Sequence, residues 1–214
     1  MRIAHVSPLI EEVSVESEGL NARGVAFLTG CLSRFGHDVT VFASGGSRVS
    51  GTLVPVSPKA LRHYPSPKRH LAEGLTFLAL EKVFSTDSRF DLVHVHAGFT
   101  VFPLMRRSPL PIMATVYDSL DAPEVVKVYR EFKELALVAI SADQIRRCPD
   151  LNWQGLIPWN VTSQRRGPFE DELDSLVETA LAYTAVYDRV VSAGVARQRS
   201  VQPIYSLQGM ASRL

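Results

Sequence analysis

At 214 residues the chain is long enough to bury a substantial core and short for two ordinary domains. Apolar residues make up 46% and charged residues 21%, with 23 Lys+Arg against 22 Asp+Glu; this excludes a disordered chain, and the formal charge of +1 argues against nucleic acid as the main partner. No basic-then-apolar leader precedes "MRIAHV", and no run approaches the roughly 18 apolar residues that span a bilayer, so the sequence reads as soluble, cytoplasmic and without a transmembrane segment.

In chain order, "RIAHV" (2–6), "DVTVFA" (38–43), "TLVPV" (52–56), "DLVHVH" (91–96), "PIMATV" (111–116), "LALVAI" (135–140) and "WQGLI" (153–157) are short apolar runs rich in Val and Ile. Most are bounded by Gly, Pro, Asp or Ser, as strands are. Between them, "NARGVAFLTGCLSRFG" places Val25, Leu28, Cys31, Leu32 and Phe35 on one helical face, with Gly36 as a stop. "HLAEGLTFLALEKVF" carries Leu71, Leu75, Leu78, Val83 and Phe84 at similar spacing, and "APEVVKVYREF" opens with Pro123 in its first turn, where a missing N–H costs nothing. Cys31 and Cys148 have no metal-type spacing and read as buried thiols in a reducing compartment. Near-continuous apolar strands separated by helices imply an α/β fold: a doubly wound, mostly parallel, Rossmann-like sheet of about seven strands with helices on both faces, over residues 1–162.

After Val161 the pattern changes. Residues 163–214 read as a polar linker punctuated by Gly167-Pro168, a long amphipathic helix over about 170–193, and a loose tail from 195 onward. In the helix, Leu173, Leu176, Val177, Ala180, Leu181, Thr184, Tyr187 and Val190 recur at three- and four-residue steps, and Gly194 is its expected end. Acidic Glu170, Asp171, Glu172 and Asp174 crowd its start, the favourable sense for the helix dipole. This C-terminal helical appendage is expected to pack back on the sheet.

The collinear segments "RIAHVSPL", "GVAFLTGCLSRFGHDVTVFASGG", "FDLVHVHAGFTVFPLMRR", "PIMATVYDSLDAPEVVKVYREF", "VAISADQIRR" and "NWQGLIPWNV" resemble the N-terminal, acceptor-side half of bacterial GT-B glycosyltransferases of family 4. In that family the active site is a cleft between two Rossmann-like domains, the second of which holds most of the nucleotide-sugar donor. The resemblance leads one to expect a donor domain after "NWQGLIPWNV", yet only 52 residues follow Thr162. "LVETALAYTAVYDRVV" is similar instead to the final helix that crosses back from that domain. The expectation is a truncated, glycosyltransferase-like protein.

The resemblance also implies site positions, and several depart from the pattern. Relatives carry a Gly-Gly loop where backbone N–H groups approach the donor phosphate; here Gly19 fits the first position but bulky Leu20 fills the second. Relatives place a histidine in a Thr-x-His pattern after the fifth strand, where "ATVYDS" has Tyr117, a phenol poorly suited to proton exchange at neutral pH. Asp118, beside it, reads as a cleft residue or as a turn or cap residue. His94 and His96 lie two apart on one strand and share a face; they match a His-x-His at the cleft edge, as polar lining or as a buried structural histidine, and lack a third ligand in view for a metal. Ser141 fits an N-cap whose family counterpart starts a helix facing the cleft. Trp159-Asn160 replaces a His-Gly. Arg106-Arg107, Arg146-Arg147 and Arg165-Arg166 read as solvated helix ends or linker.

With no nucleophile–base constellation in view, no catalytic residue is assigned, and no cofactor or metal is expected. The expected partners are a sugar-containing acceptor, and either a donor-domain protein or a second copy of the chain. Two functions follow: a binding or regulatory module inactive alone, or half of a split glycosyltransferase completed by a donor-binding chain.

Overall fold

The computed structural model describes residues 1–65, 69–85, 90–159 and 169–200. Seven strands form one parallel sheet: β1 (Arg2–Val6), β2 (Asp38–Ser44), β3 (Thr52–Ser57), β4 (Leu92–Val95), β5 (Ile112–Val116), β6 (Ala136–Ala139) and β7 (Trp153–Leu156). Their order is β3-β2-β1-β4-β5-β6-β7. The chain therefore winds one way from β1 to β3 and the other way from β4 to β7. The reversal falls between β1 and β4, where the connections leave in opposite directions and open a crevice beyond the strands' C-terminal ends. Edge strand β3 carries Pro55, whose missing N–H is tolerated at a sheet edge.

Alternating side chains divide the interior into two layers. Ala4, Val6, Val93, Val95, Ala114 and Val116 face one core, covered by α2 (Arg69–Ser85), α3 (Phe102–Arg106) and α4 (Pro123–Glu131). Ile3, Val39, Val41, Leu92 and Met113 face the other, covered by α1 (Leu20–Arg34) and α6 (Phe169–Ser200). The short α5 (Ala142–Arg147) lies between β6 and β7 in the chain. This is the doubly wound, Rossmann-like architecture expected from the apolar runs, with strand ends within one residue of the expected ones.

Three details differ from the expected faces. Phe35 is the exposed C-cap of α1 rather than part of its buried face. In α2 the buried row is Thr76, Ala79, Leu80 and Val83, while Leu71 and Leu78 are exposed; the helix is apolar nearly all round, so periodicity alone leaves its rotation open. In α6 the buried row is Leu176, Ala180, Tyr183, Val186, Tyr187 and Val190, and Leu181 is exposed. Tyr187 is buried as its place in the apolar row implies, and Tyr183, outside that row, also turns inward because both phenols find hydrogen-bond partners there. Helix α6 also runs past Gly194 to Ser200. Gly194 sits against Pro111, so its missing side chain serves close approach rather than termination. Asn160, Thr162, Arg165-Arg166, Gly167-Pro168 and the tail from 201 lie outside the described residues, as does the side chain of Leu173; with them lies the expected boundary at 162.

Among the described residues no helix is long and apolar enough to cross a membrane. Cys31 and Cys148 are buried free thiols.

Helix α6 packs on α1 and β4 and seals the second core. Removing residues 168–214 is expected to expose Ile3, Leu92 and Met113 and to cause aggregation. Light scattering and urea unfolding of the truncated chain check this; a soluble, equally stable product contradicts it.

Candidate functional site

Parallel pairing of β1 with β4 sets His5 directly beside His94, and the next positions of the same face are Ser7 and His96. On β5 the matching face carries Met113, Thr115 and then Tyr117. Strand alternation thus gathers three imidazoles, a hydroxyl and a phenol at the β1/β4 crevice, on the side covered by α1 and α6. His5, His94, His96 and Thr115 are all essentially inaccessible to solvent. From α6, Tyr183 and Tyr187 enter the same cluster one helical turn apart.

The polar groups form two hydrogen-bonded chains. In the first, the Trp159 indole N–H donates to the Tyr183 hydroxyl (2.8 Å), which meets Thr115 Oγ1 (2.9 Å); Thr115 Oγ1 meets His94 Nε2 (2.8 Å), and His94 Nδ1 meets the Tyr187 hydroxyl (2.8 Å). An indole can only donate, so Trp159 donates to Tyr183; the rest of the chain runs either from Tyr183 through Thr115 to His94 Nε2 with His94 Nδ1–H donating to Tyr187, or in reverse from Tyr187 through His94 and Thr115 to Tyr183. In the second chain, His5 Nδ1 lies 3.1 Å from His96 Nε2, and His96 Nδ1 lies 2.9 Å from the Tyr117 hydroxyl. Here either direction works, and both leave His5 Nε2 without a partner. Ser7 Oγ, buried on the same strand face, also lacks one.

Ring contacts close the cluster over its polar atoms. His94 and His96 have centroids 3.9 Å apart, and His5 stacks on His96 at 5.3 Å. Trp159 stands edge-on to Tyr117 at 5.5 Å and to His96 at 6.0 Å. Its ring lies on Gly24 of α1, where a side chain would collide with it. Tyr117 and Trp159, two departures from the family pattern, therefore pack against each other and cap one polar cluster.

Burial fixes the charge state. Desolvation pushes the His5 imidazole down to about 3. It also holds His94 and His96 well below the usual histidine range, with repulsion from the neighbouring imidazoles adding to the effect. The Tyr183 phenol is pushed up to about 12, and burial raises Tyr117 and Tyr187 as well. At neutral pH the cluster is uncharged: three neutral imidazoles bonded to neutral hydroxyls.

The other expected site residues lie around this cluster or away from it. Gly19 is the N-cap of α1, and its N–H donates to Glu11 Oε2 (2.8 Å). The protein's own carboxylate sits where a helix N-terminus would attract an anion, and Arg62 pairs with it at 3.4 Å. Asp118 leaves the strand on the opposite side from Tyr117 and accepts a hydrogen bond from Tyr129 of α4 (2.6 Å). It caps no helix, because Ala122 is the N-cap of α4. Ser141 is the N-cap of α5 in a reciprocal capping box with Gln144. The Gln144 amide in turn donates to the carbonyls of Val116 and Asp118, tying α5 to the end of β5. Leu20 is half-exposed at the start of α1. The structure thus joins His94, His96 and Tyr117 in one cluster and places Gly19, Asp118 and Ser141 in separate local arrangements.

Sequence reasoning missed His5, Thr115, Trp159, Tyr183 and Tyr187 as members of the cluster. The available signal was His5 in an otherwise apolar first strand, at the same depth from the strand end as His94. The two tyrosines gave only half a signal, because a tyrosine in an amphipathic helix sits equally well on either side. The group His5, His94 and His96 brings a third imidazole to a pair that in sequence lacked one, with ligand atoms within 4.8 Å of one another. A separate surface groove, lined by Met105, Pro111, Gln154 and Val190, lies at the opposite, N-terminal edge of β5–β7.

The profile of Glycosyltransferase Family 4 matches residues 22–149, from α1 through α5. The chain belongs to glycosyltransferase family 4. No curated protein sequence matches it. The matched segment of this family 4 domain includes His94, His96, Thr115 and Tyr117, whereas His5, Trp159 and both α6 tyrosines lie outside it.

Two outcomes follow from the buried neutral cluster. The folded imidazoles resist protonation while the unfolded ones accept protons near pH 6.5, so their stabilisation is present above 6.5 and is lost as pH falls toward the folded values. Each contributes a loss of about 1.4 kcal/mol per pH unit well below 6.5. The melting temperature, in EDTA-containing buffer, is expected to fall steeply from pH 6.5 to 5; a flat profile contradicts the assignment. Tyr187→Phe removes the hydrogen-bond partner of His94 Nδ1 and is expected to cost about 1–3 kcal/mol in urea unfolding, against a near-neutral Leu181→Ala at an exposed position of the same helix.

Proposed function

We propose that this family 4 domain is an acceptor-binding or regulatory module that transfers no sugar on its own. The carrying observation is that α1 and α6 cover one side of the β1/β4 crevice. Tyr117 and Trp159 are committed to holding α6 over it, and the side chains that could exchange protons are buried and neutral. The Glu11 carboxylate on the Gly19 N–H supports the same reading, since an incoming phosphate would have to displace a charge of its own sign. Free buried thiols are in keeping with a reducing, cytoplasmic setting.

A specific observation favours the split-enzyme reading as the alternative. Ile10, Val15 and Leu20 are 41%, 51% and 49% exposed on and beside the loop joining β1 to α1, at the C-terminal edge of the sheet. That loop is anchored by the Glu11–Gly19 bond and by backbone bonds from Leu61 to Leu9 and from Arg62 to Ile10. It is a held apolar surface on the side a donor-binding chain would approach.

Purified protein incubated with UDP- and GDP-sugars is expected to release no nucleotide above buffer, and nucleotide sugars are expected to leave its melting temperature unchanged. Candidate acceptor glycans are expected to raise it, because a ligand that binds only the folded state stabilises that state. Release of UDP or GDP by the chain alone, abolished by Tyr117→Phe, overturns the proposal; release only on adding a donor-binding chain supports the alternative.

A further inference from the structure

We infer that His5, His94 and His96 form a binding site for a late first-row transition-metal cation, Zn²⁺ or Cu⁺. The imidazoles come from adjacent strands, and their ligand atoms lie within 4.8 Å of one another. Three atoms so placed share a point within about 2.8 Å of each, so shifts of about 0.7 Å bring all three to the about 2.0–2.1 Å of a zinc–imidazole bond. The 3.1 Å between His5 Nδ1 and His96 Nε2 is already close to the about 3.3 Å separating two nitrogens on one tetrahedral ion.

Three features beyond the clustering point to a ligand. Ser7 Oγ, two residues along the same strand face from His5, is buried with no hydrogen-bond partner. Buried polar groups are otherwise satisfied almost without exception. The imidazoles are also kept in the neutral form that binds metal. Finally, His96 Nδ1 and His94 Nδ1 each meet a phenol oxygen, of Tyr117 and of Tyr187. Metal-bound histidines characteristically donate their second ring N–H in this way; at His94 the ion would take the Nε2 lone pair in place of the Thr115 hydroxyl that meets it at 2.8 Å. The group offers imidazole nitrogen and no carboxylate, which suits zinc or cuprous copper and not Mg²⁺ or Ca²⁺. Through Tyr187, the bound ion would brace α6 against β1 and β4.

The full-length chain, stripped with chelator and dialysed, is titrated with Zn²⁺, with Co²⁺ as an optical probe, and with Cu⁺ under reductant. One equivalent is expected to bind. At a hundredfold excess of free metal over Kd, the melting temperature is expected to rise by about 5–10 °C. Co²⁺ is expected to give the intense visible bands of a tetrahedral site. His5→Gln is expected to abolish both effects, Tyr117→Phe to weaken binding about 10–100-fold, and His63→Gln, at the surface, to change neither. If His5→Gln does not fold, the Co²⁺ spectrum of the unaltered chain decides, because surface imidazoles give only weak octahedral bands. Absence of stoichiometric binding, an octahedral Co²⁺ spectrum, or binding retained in His5→Gln and lost in His63→Gln overturns the inference.

Discussion

The arrangement depends on one buried contact, the hydrogen bond between His94 on β4 and Tyr187 on α6. A neutral imidazole taken out of water must find a donor and an acceptor nearby. His94 finds them in Thr115 of the next strand and in a phenol brought by the last helix. That requirement fixes the rotation of α6 more tightly than its apolar row does, because it turns Tyr183 and Tyr187 inward and leaves Leu181 outside. Trp159 follows from the same constraint: its indole supplies the proton that starts the chain through Tyr183 and Thr115.

The consequence is a family 4 sheet whose ligand-prone end is turned into an interface within the chain. In an open α/β sheet the crevice at the reversal of strand order is where small molecules bind. Here α6 covers one side of that crevice, Trp159 lies on Gly24 of α1, and Glu11 lies against the α1 N-terminus. Tyr117 is a joint between His96 and Trp159, which accounts for a phenol where relatives carry an imidazole: the position asks for a hydrogen-bond partner that stays neutral and fills space.

The fold was legible in the sequence because seven Val/Ile-rich runs separated by helical stretches admit few arrangements other than a parallel, doubly wound sheet. The site was legible only in part. Period-two spacing put His94 and His96 on one face, as polar lining or as a buried structural histidine, and the structure buries both. His5 was hidden because its partnership with His94 is a matter of register between strands 89 residues apart, which no local pattern carries. Tyr183 and Leu181 exchanged roles because hydrophobicity ranks leucine as the better core residue, whereas the hydrogen-bonding demand of Thr115 and Trp159 decided for tyrosine. Asp118 read as a turn or cap residue, but Tyr129, eleven residues later, claims its carboxylate.

A cluster of three neutral imidazoles at the strand ends is tied to α6 through the His94–Tyr187 hydrogen bond. The most direct measurement is nitrogen-15 NMR of the histidine rings in the metal-free chain, followed from pH 8 to pH 5. His5, His94 and His96 are each expected to keep the shifts of a single neutral tautomer for as long as the chain stays folded. Titration of any of the three near pH 6.5 in the folded state, or averaging between tautomers at His94, would contradict this.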